Sequence, residues 1–169
     1  MKSRALSESL TRCKSKQHKK IYKQLKEFFP NYRIYNEIPY KKILGVNCNS
    51  KLRADIFVKE PKLIIEVMGE QHFKPVAFGG DDEEAERRYR IQRRNDEQKR
   101  KLIRESEYVS LLEIPFDVSV GGQTAWLSIL IAITEDQGVY KLEKGDENIP
   151  FFLVKVGSDE GSSSGEGGL

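Results

Sequence analysis

The apolar residues of the chain follow two spacings, one typical of strands and one typical of helices. Residues 54–59 and 63–68 are short runs rich in β-branched and aromatic side chains, and Glu60-Pro61 joins them. Together they predict a β-hairpin. Residues 81–106 carry apolar side chains at every third or fourth position, which predicts a long helix.

The same spacings predict the remaining elements: a helix at about 16–29, strands at 32–37, 43–46, 108–114 and 151–156, and a helix at 123–134. A length of 169 residues with 38% hydrophobic content suits one domain with tails. We expect this domain to span residues 16–156. A basic flexible arm at 1–15 would precede it, and a disordered acidic Gly/Ser tail at 157–169 would follow.

Two acidic residues lie inside the apolar runs of the hairpin. Asp55 falls in the first strand and Glu66 in the second. A buried carboxylate is costly unless it is paired, solvated or bound to a cation, so acids on adjacent strands predict a divalent metal site. The alternative is structural, with Asp55 facing water on an edge strand and Glu66 pairing with a lysine. His72 follows just past the second strand, a common position for catalytic groups.

The long helix has one face that mixes apolar and charged side chains. The helical repeat puts six residues on this face: Ala85, Tyr89, Gln92, Asp96, Lys99 and Ile103. Its apolar members identify the face that packs on the sheet. Asp96 and Lys99 should therefore point inward, while most of the arginines of this helix point outward.

The net charge of +3 hides two basic segments. Residues 1–28 hold nine Lys and Arg against two acids, and residues 87–104 have the same balance. Two such segments are typical of a protein that binds a polyanion, although a basic segment is also often only a solvated helix face. The predicted nucleic-acid contacts are Lys14, Lys16, Lys19, Lys20, Arg87, Arg90 and Arg94. His18 lies among these lysines, and we expect it at the surface without a catalytic part.

The composition also bears on where the protein acts. No apolar run approaches the roughly 20 residues of a membrane span, and the polar N-terminus lacks a signal-peptide core. Cys13 and Cys48 stand alone, without metal-ligand spacing, which indicates a reducing compartment. We therefore expect a cytoplasmic location, in association with the nucleoid.

Several short motifs carry a resemblance to a known family. They are Glu37, Asp55, IIEVMGEQH at 64–72, RRNDEQKRKL at 93–102 and YVSLLEIP at 108–115. In this order they resemble the PD-(D/E)xK, or restriction-endonuclease-like, superfamily over about residues 17–117. The branch most similar is the very-short-patch-repair-like one, which includes phage homing endonucleases. The resemblance implies an α/β fold with a mixed central β-sheet flanked by helices, and a phage or mobile-element origin.

The resemblance also implies a role for each matching residue. Asp55 would be the main metal ligand, assisted by Glu66, and Glu37 would be an accessory ligand or would orient a metal-bound water. His72 would activate water or protonate the leaving group, and Asp96 would orient the ring or balance its charge. The superfamily usually keeps a lysine where this chain has Met68. Lys99 is the candidate for a substitute cation, or His72 replaces the lysine.

The function expected from these features is Mg²⁺-dependent cleavage of double-stranded DNA, with Mn²⁺ as an alternative cofactor. Carboxylates that hold Mg²⁺ neutralise charge on the phosphate, and histidine suits proton transfer near neutral pH. A double-strand break by one site would require a homodimer or two successive cuts. Two alternatives stay open: a structure-specific resolvase or repair nuclease, and a non-catalytic nucleic-acid-binding module of the same fold.

Overall fold

The computed structural model of the chain describes residues 12–45, 48, 51–77 and 79–157. The elements in these ranges, in chain order, are α1 (Lys16–Phe28), β1 (Ile34–Pro39), α2 (Tyr40–Leu44), β2 (Arg53–Val58), β3 (Leu63–Met68), a 3-10 turn (Glu70–His72), α3 (Asp82–Ser106), β4 (Ser110–Pro115), α4 (Gln123–Glu135), β5 (Val139–Lys144) and β6 (Phe151–Lys155). Of the predicted arm the structure describes residues 12–15, and of the predicted tail only Gly157.

The six strands form one mixed sheet whose spatial order follows the chain, from β1 to β6. β1 to β3 pair antiparallel, β3 to β5 pair in parallel, and β6 pairs antiparallel with β5. Each parallel step needs a long crossover, and α3 and α4 are these crossovers. The predicted α/β class with a mixed central sheet is confirmed.

Helices cover both faces of this sheet. Ile64 and Ile65 are consecutive in β3, so their side chains point to opposite faces. Ile65 belongs to a core with Leu25 of α1 and Trp126 of α4. Ile64 belongs to a second core, which contains Tyr40 of α2 and Ile103 of α3. The central strands are therefore buried from both sides, as their nearly unbroken apolar sequences require.

The long helix has the orientation predicted from its pattern. Ala85, Asp96 and Ile103 are buried, whereas Arg87, Arg90 and Arg94 are exposed. The helix begins after Asp81, whose side chain accepts a hydrogen bond from the Glu83 N–H at 3.1 Å. Asp96 and Lys99 therefore reach the sheet from the face of α3 that packs on it.

Two predictions about the secondary structure were wrong. A strand was expected at 43–46, but residues 43 and 44 belong to the helix α2. Val46 lies outside the described residues. Pro39 begins this short helix in an extended conformation, and Gly45 ends it at φ +65°. The second error is β5, which was not predicted. In the part of the chain that the structure describes, no helix combines the length and apolarity needed to cross a membrane.

Candidate active site

Four acidic residues lie in one line across β1 to β4. Glu66 and Glu113 are paired neighbours in the register of β3 and β4. The pairing of Ile56 with Ile65, continued by one residue, puts Asp55 opposite Glu66. Glu37 of β1 lies opposite Asp55 of β2, because Asn36 pairs with Ile56 and Ile38 pairs with Ala54. The sheet register therefore assembles carboxylates that lie up to 76 positions apart in the sequence.

Each of these carboxylates has a cationic partner. Lys14 Nζ lies 3.3 Å from Asp55 Oδ1 and 3.3 Å from Glu37 Oε1. Lys99 and Arg100 of α3 hold the other two acids: Lys99 Nζ lies 3.1 Å from Glu66 Oε1, and Arg100 Nε lies 3.1 Å from both carboxylate oxygens of Glu113. Arg53 Nε lies 3.7 Å from Glu37 Oε2, so the four acids face four cations, which come from the segment before α1, from β2 and from α3.

Glu113 and Arg100 form a buried pair that sequence reasoning missed. Glu113 lies within the quoted motif YVSLLEIP, but no role was assigned to it. Burial raises the pKa of Glu113, and the charge of Arg100 opposes this rise. Arg100 directly follows Lys99 on α3. The pair therefore fixes the helix over the acidic row, close to the contact between Lys99 and Glu66.

Replacing Arg100 should destabilise the fold measurably. Arg100→Met leaves Glu113 buried without its partner, which we expect to lower the free energy of unfolding by about 2–3 kcal/mol, somewhat less than for a fully buried pair. Urea unfolding at pH 7 measures the change. The matched control is Arg87→Met, because Arg87 makes a similar two-bond contact to Glu84 on the exposed side of the same helix. It should cost less than about 0.5 kcal/mol. Equal losses would contradict a structural role for Glu113.

Glu66 is, with Glu113, one of the two most enclosed members of the row. Its Oε1 accepts hydrogen bonds from Tyr40 Oη at 2.8 Å and from Lys99 Nζ at 3.1 Å. Burial raises the pKa of Glu66 to about 8; Lys99 opposes this shift and Asp55 adds to it. Burial and the neighbouring Glu66 also raise the pKa of Tyr40. The predicted inward cation is therefore present, and its partner is Glu66.

Asp55 and Glu37 share the ammonium of Lys14. Asp55 Oδ2 accepts the Val67 N–H at 2.8 Å, which leaves Oδ1 facing Lys14. Glu37 has φ +52°, a conformation that is uncommon outside glycine, and its carbonyl accepts a hydrogen bond from Arg53. Its Oε1 is buried, and its one contact with a donor among the described residues is the ion pair with Lys14 at 3.3 Å, which lacks hydrogen-bond geometry. Burial would lower the pKa of Lys14, but Asp55 and Glu37 outweigh it and raise this pKa.

His18 is not at the surface, and the prediction for it was wrong. It is only 1% exposed, and its Nε2 lies 3.1 Å from Asn36 Oδ1. One set of possible metal ligands among the described residues consists of His18, Glu37 and Asp55, whose ligand atoms lie within 4.8 Å of one another. The helical spacing contained the signal: the buried residues of α1 are His18, Ile21, Tyr22 and Leu25. The neighbouring lysines obscured it.

This set suits a divalent cation by its chemistry. Carboxylate oxygens are the ligands that Mg²⁺ and Mn²⁺ prefer, and Glu37 and Asp55 supply them. Both ring nitrogens of His18 are engaged, Nδ1 by the Lys14 N–H and Nε2 by Asn36, so the imidazole as it stands has no lone pair free for a metal. The predicted ligands Asp55 and Glu66 are neighbours, but Glu66 is not part of this set.

His72 and Asp96 form the second half of the site. His72 ends the 3-10 turn after β3, and its Nδ1 lies 2.9 Å from Asp96 Oδ2. Asp96 Oδ1 accepts a hydrogen bond from Gln92 Nε2 at 3.0 Å, so both carboxylate oxygens are held. A neutral imidazole that donates from Nδ1 has an unprotonated Nε2, which is able to accept a proton. The structure thus brings the two residues into the contact expected from sequence; their catalytic role stays a prediction.

A cleft of about 430 Å³ joins the two halves. Its lining includes Lys14, His18, Asp55, Glu66, His72 and Lys99. Of the predicted nucleic-acid contacts, Lys14 therefore faces the acids, while Lys16, Lys19 and Lys20 are exposed on α1. Three of the five predicted catalytic residues, Asp55, Glu66 and His72, line this cleft. Glu37 and Asp96 lie behind it, in contact with the lining residues Lys14 and His72.

Comparison with known proteins adds no assignment to this geometry. The order of the strands, the row of acids and the histidine–aspartate contact are what the chain itself offers. Any function must therefore be argued from them. No family model, curated protein or solved structure matches the chain.

Proposed function

We propose that the chain is a metal-dependent DNA endonuclease with a restriction-endonuclease-like fold. The reaction is hydrolysis of phosphodiester bonds by a homing-type or very-short-patch-repair-like enzyme of a phage or mobile element. One observation carries the proposal. The carboxylates of Asp55 and Glu66 and the imidazole of His72, held by Asp96, line one cleft, and Glu37 reaches it through its contact with Lys14.

The chemistry of phosphodiester hydrolysis matches these residue types. A divalent cation, when bound by the carboxylates, supplies positive charge to the phosphate oxygens and acidifies the attacking water. His72 Nε2 accepts or returns the proton, and Asp96 holds the Nδ1–H so that the ring keeps this tautomer. Lys99, bound to Glu66, adds a positive charge to the lining of the cleft.

The exposed basic side chains favour a polyanionic partner, and the partner in the proposed reaction is double-stranded DNA. Lys16, Lys19 and Lys20 are exposed on α1, and Arg87, Arg90 and Arg94 are exposed on α3. Such side chains bind phosphates without reading the sequence. The same two helices line the cleft, α1 through Gln17 and α3 through Gln92. A polyanion bound by the basic side chains would therefore lie next to the cleft.

One observation favours a second candidate, a non-catalytic nucleic-acid-binding module. Glu37, Asp55 and Glu66 all have lysine partners in the protein itself. Carboxylates that are balanced in this way need no metal to be stable. The two candidates differ in whether the bound nucleic acid is cut.

A cleavage assay decides between them. Supercoiled plasmid, a mismatched duplex and a four-way junction are incubated with the full chain in Mg²⁺, in Mn²⁺ and in EDTA. We expect nicked or linear plasmid with either metal and intact plasmid in EDTA. Binding to all three substrates without cleavage in either metal would contradict the proposal and favour the binding module. Cutting confined to the junction would instead indicate a resolvase. An Asp55→Asn preparation, purified identically, reports any contaminating nuclease.

A further inference from the structure

Lys14 occupies an unusual place between two carboxylates. Its Nζ is equally far, at 3.3 Å, from Glu37 Oε1 and Asp55 Oδ1. The two carboxylates are largely enclosed, with side-chain exposures of 14% and 8%, whereas the lysine side chain is 62% exposed. The ammonium thus approaches the pair from the solvent side. Lys99 differs, because it is only 13% exposed against Glu66.

The backbone of Lys14 is fixed by the buried histidine of α1. The Lys14 N–H donates to His18 Nδ1 at 3.2 Å, so the neutral ring donates from Nε2 to Asn36 Oδ1 at 3.1 Å. Asn36 directly precedes Glu37 on β1. The side chain of Ser15 also accepts the His18 N–H at 3.0 Å and caps the helix. Lys14 is therefore tied to the strand that carries one of its two carboxylate partners.

A lysine in this place and a metal ion bound to the same two oxygens exclude each other. Mg²⁺ binds carboxylate oxygens at about 2.0–2.1 Å. An ion at that distance from both Glu37 Oε1 and Asp55 Oδ1 would lie almost against an ammonium 3.3 Å from each. Two cations cannot share this space, because their charges repel strongly at such separations. Metal binding therefore requires the side chain of Lys14 to leave.

We propose that Lys14 is the resident counter-ion of a metal site formed by Glu37 and Asp55, and that a divalent cation binds there by displacing it. This inference rests on the proposed function for the identity of the metal, and it names Glu37, rather than Glu66, as the second ligand. Together with Arg53, whose Nε lies 3.7 Å from Glu37 Oε2, Lys14 balances the charge of the two carboxylates in the metal-free protein. The affinity for the metal is then lower than the two carboxylates alone would give, because binding must break both lysine contacts.

Mn²⁺ binding to the full chain tests, without any cleavage, whether the metal competes with Lys14 for Glu37 and Asp55. Isothermal titration calorimetry with Mn²⁺, in the absence of nucleic acid, compares the wild type with Lys14→Met, which keeps the length of the side chain and removes its charge. We expect Lys14→Met to bind Mn²⁺ about tenfold more tightly. Lys16→Met is the matched control, because Lys16 is exposed two residues further along and contacts neither carboxylate in the structure. It should bind as the wild type does.

A second measurement covers the case in which Lys14→Met is poorly folded. Thermal unfolding of each variant with and without Mn²⁺ should give a larger metal-induced rise in Tm for Lys14→Met than for Lys16→Met, because a ligand stabilises the fold according to its affinity. Glu37→Gln should lose the rise in Tm, whereas Glu66→Gln should keep most of it.

The outcomes separate this inference from the proposed function. Equal Mn²⁺ affinity in Lys14→Met, Lys16→Met and the wild type would overturn the competition, while metal-dependent cleavage of plasmid could still stand. A loss of Mn²⁺ binding in Glu66→Gln but not in Glu37→Gln would overturn the ligand assignment. The absence of Mn²⁺ binding in the wild type and in both lysine variants would overturn the site and count against the nuclease as well.

Discussion

Asp55→Asn should reduce cleavage by a factor on the order of 10³ or more, since even one electrostatic contact to a transition state commonly contributes 10²–10³. The carboxylate is central to the site: Asp55 lies between Glu37 and Glu66 in the acidic row and contacts Lys14 through Oδ1. Removing its charge weakens the candidate metal site while the shape of the side chain is preserved. Plasmid nicking in Mg²⁺ measures the loss.

Folding and DNA binding should survive this substitution. The asparagine oxygen can still accept the Val67 N–H, which Asp55 Oδ2 now accepts at 2.8 Å. The loss of a negative charge also relieves repulsion against Glu66 and against phosphates. We expect the free energy of unfolding to change by less than about 1 kcal/mol, the size of one ordinary hydrogen bond, and DNA affinity to be equal or higher.

Asp136→Asn is the matched control for the same chemical change. Asp136 accepts from Lys155 at 2.8 Å, next to β5 and β6, and takes no part in the row of acids. Its substitution should leave the nicking rate unchanged. Cleavage by Asp55→Asn at the wild-type rate would remove Asp55 from the site, whereas equal losses in both variants would indicate general damage to the fold.

Local periodicity was sufficient to predict the elements that carry most of the site. The apolar face of α3 requires Asp96 and Lys99 to point inward, because Ala85 and Ile103 lie on the same face. The hairpin was equally clear from its β-branched runs, and the structure shifts only its first strand by one residue. A carboxylate within such a pattern is informative because burial makes it costly without a partner.

The remaining features depend on contacts between distant segments. Lys14 meets Asp55 across 41 positions, and no local pattern indicates such a contact. The row of acids appears only when the register of four strands is known, so Glu113 could not be singled out. β5 was missed because three of its six residues, Lys141, Glu143 and Lys144, are charged. Its Tyr140 and Leu142 nevertheless pack in the core with Trp126.

His72→Ala should lower the cleavage rate by at least about a hundredfold, the usual contribution of a proton-transfer group. The imidazole is held in one orientation, with Nδ1 at 2.9 Å from Asp96 Oδ2 and Nε2 left to exchange protons. Its side chain is 13% exposed, so the ring is supported by the protein and still reaches the cleft. Single-turnover rates with excess enzyme measure the effect apart from product release.

Asp96→Asn should cost less than His72→Ala, and the double variant little more than His72→Ala alone. Gln92 donates to Asp96 Oδ1, so an asparagine would keep its oxygen there and turn its amide N–H₂ towards His72 Nδ1. That contact favours the tautomer with the proton on Nε2, which is the wrong one for a base. Both residues act through one imidazole, and the effects of residues that act as a unit are not additive. Additive losses would show that Asp96 acts independently of His72.

Lys99→Met distinguishes the lysine from the histidine as the group that does the work which the resemblance expects of a lysine at the position of Met68. Lys99 contacts Glu66 at 3.1 Å and lies over the Tyr40 ring, so its loss removes one charge from the wall of the cleft. We expect a smaller effect on the rate than that of His72→Ala, because the proton transfer assigned to His72 remains intact. Loss of activity in Lys99→Met together with a mild effect of His72→Ala would reverse the two roles. Rescue of His72→Ala by added imidazole, with no rescue of Lys99→Met, would support proton transfer by His72. Only the first variant lacks the group that imidazole restores.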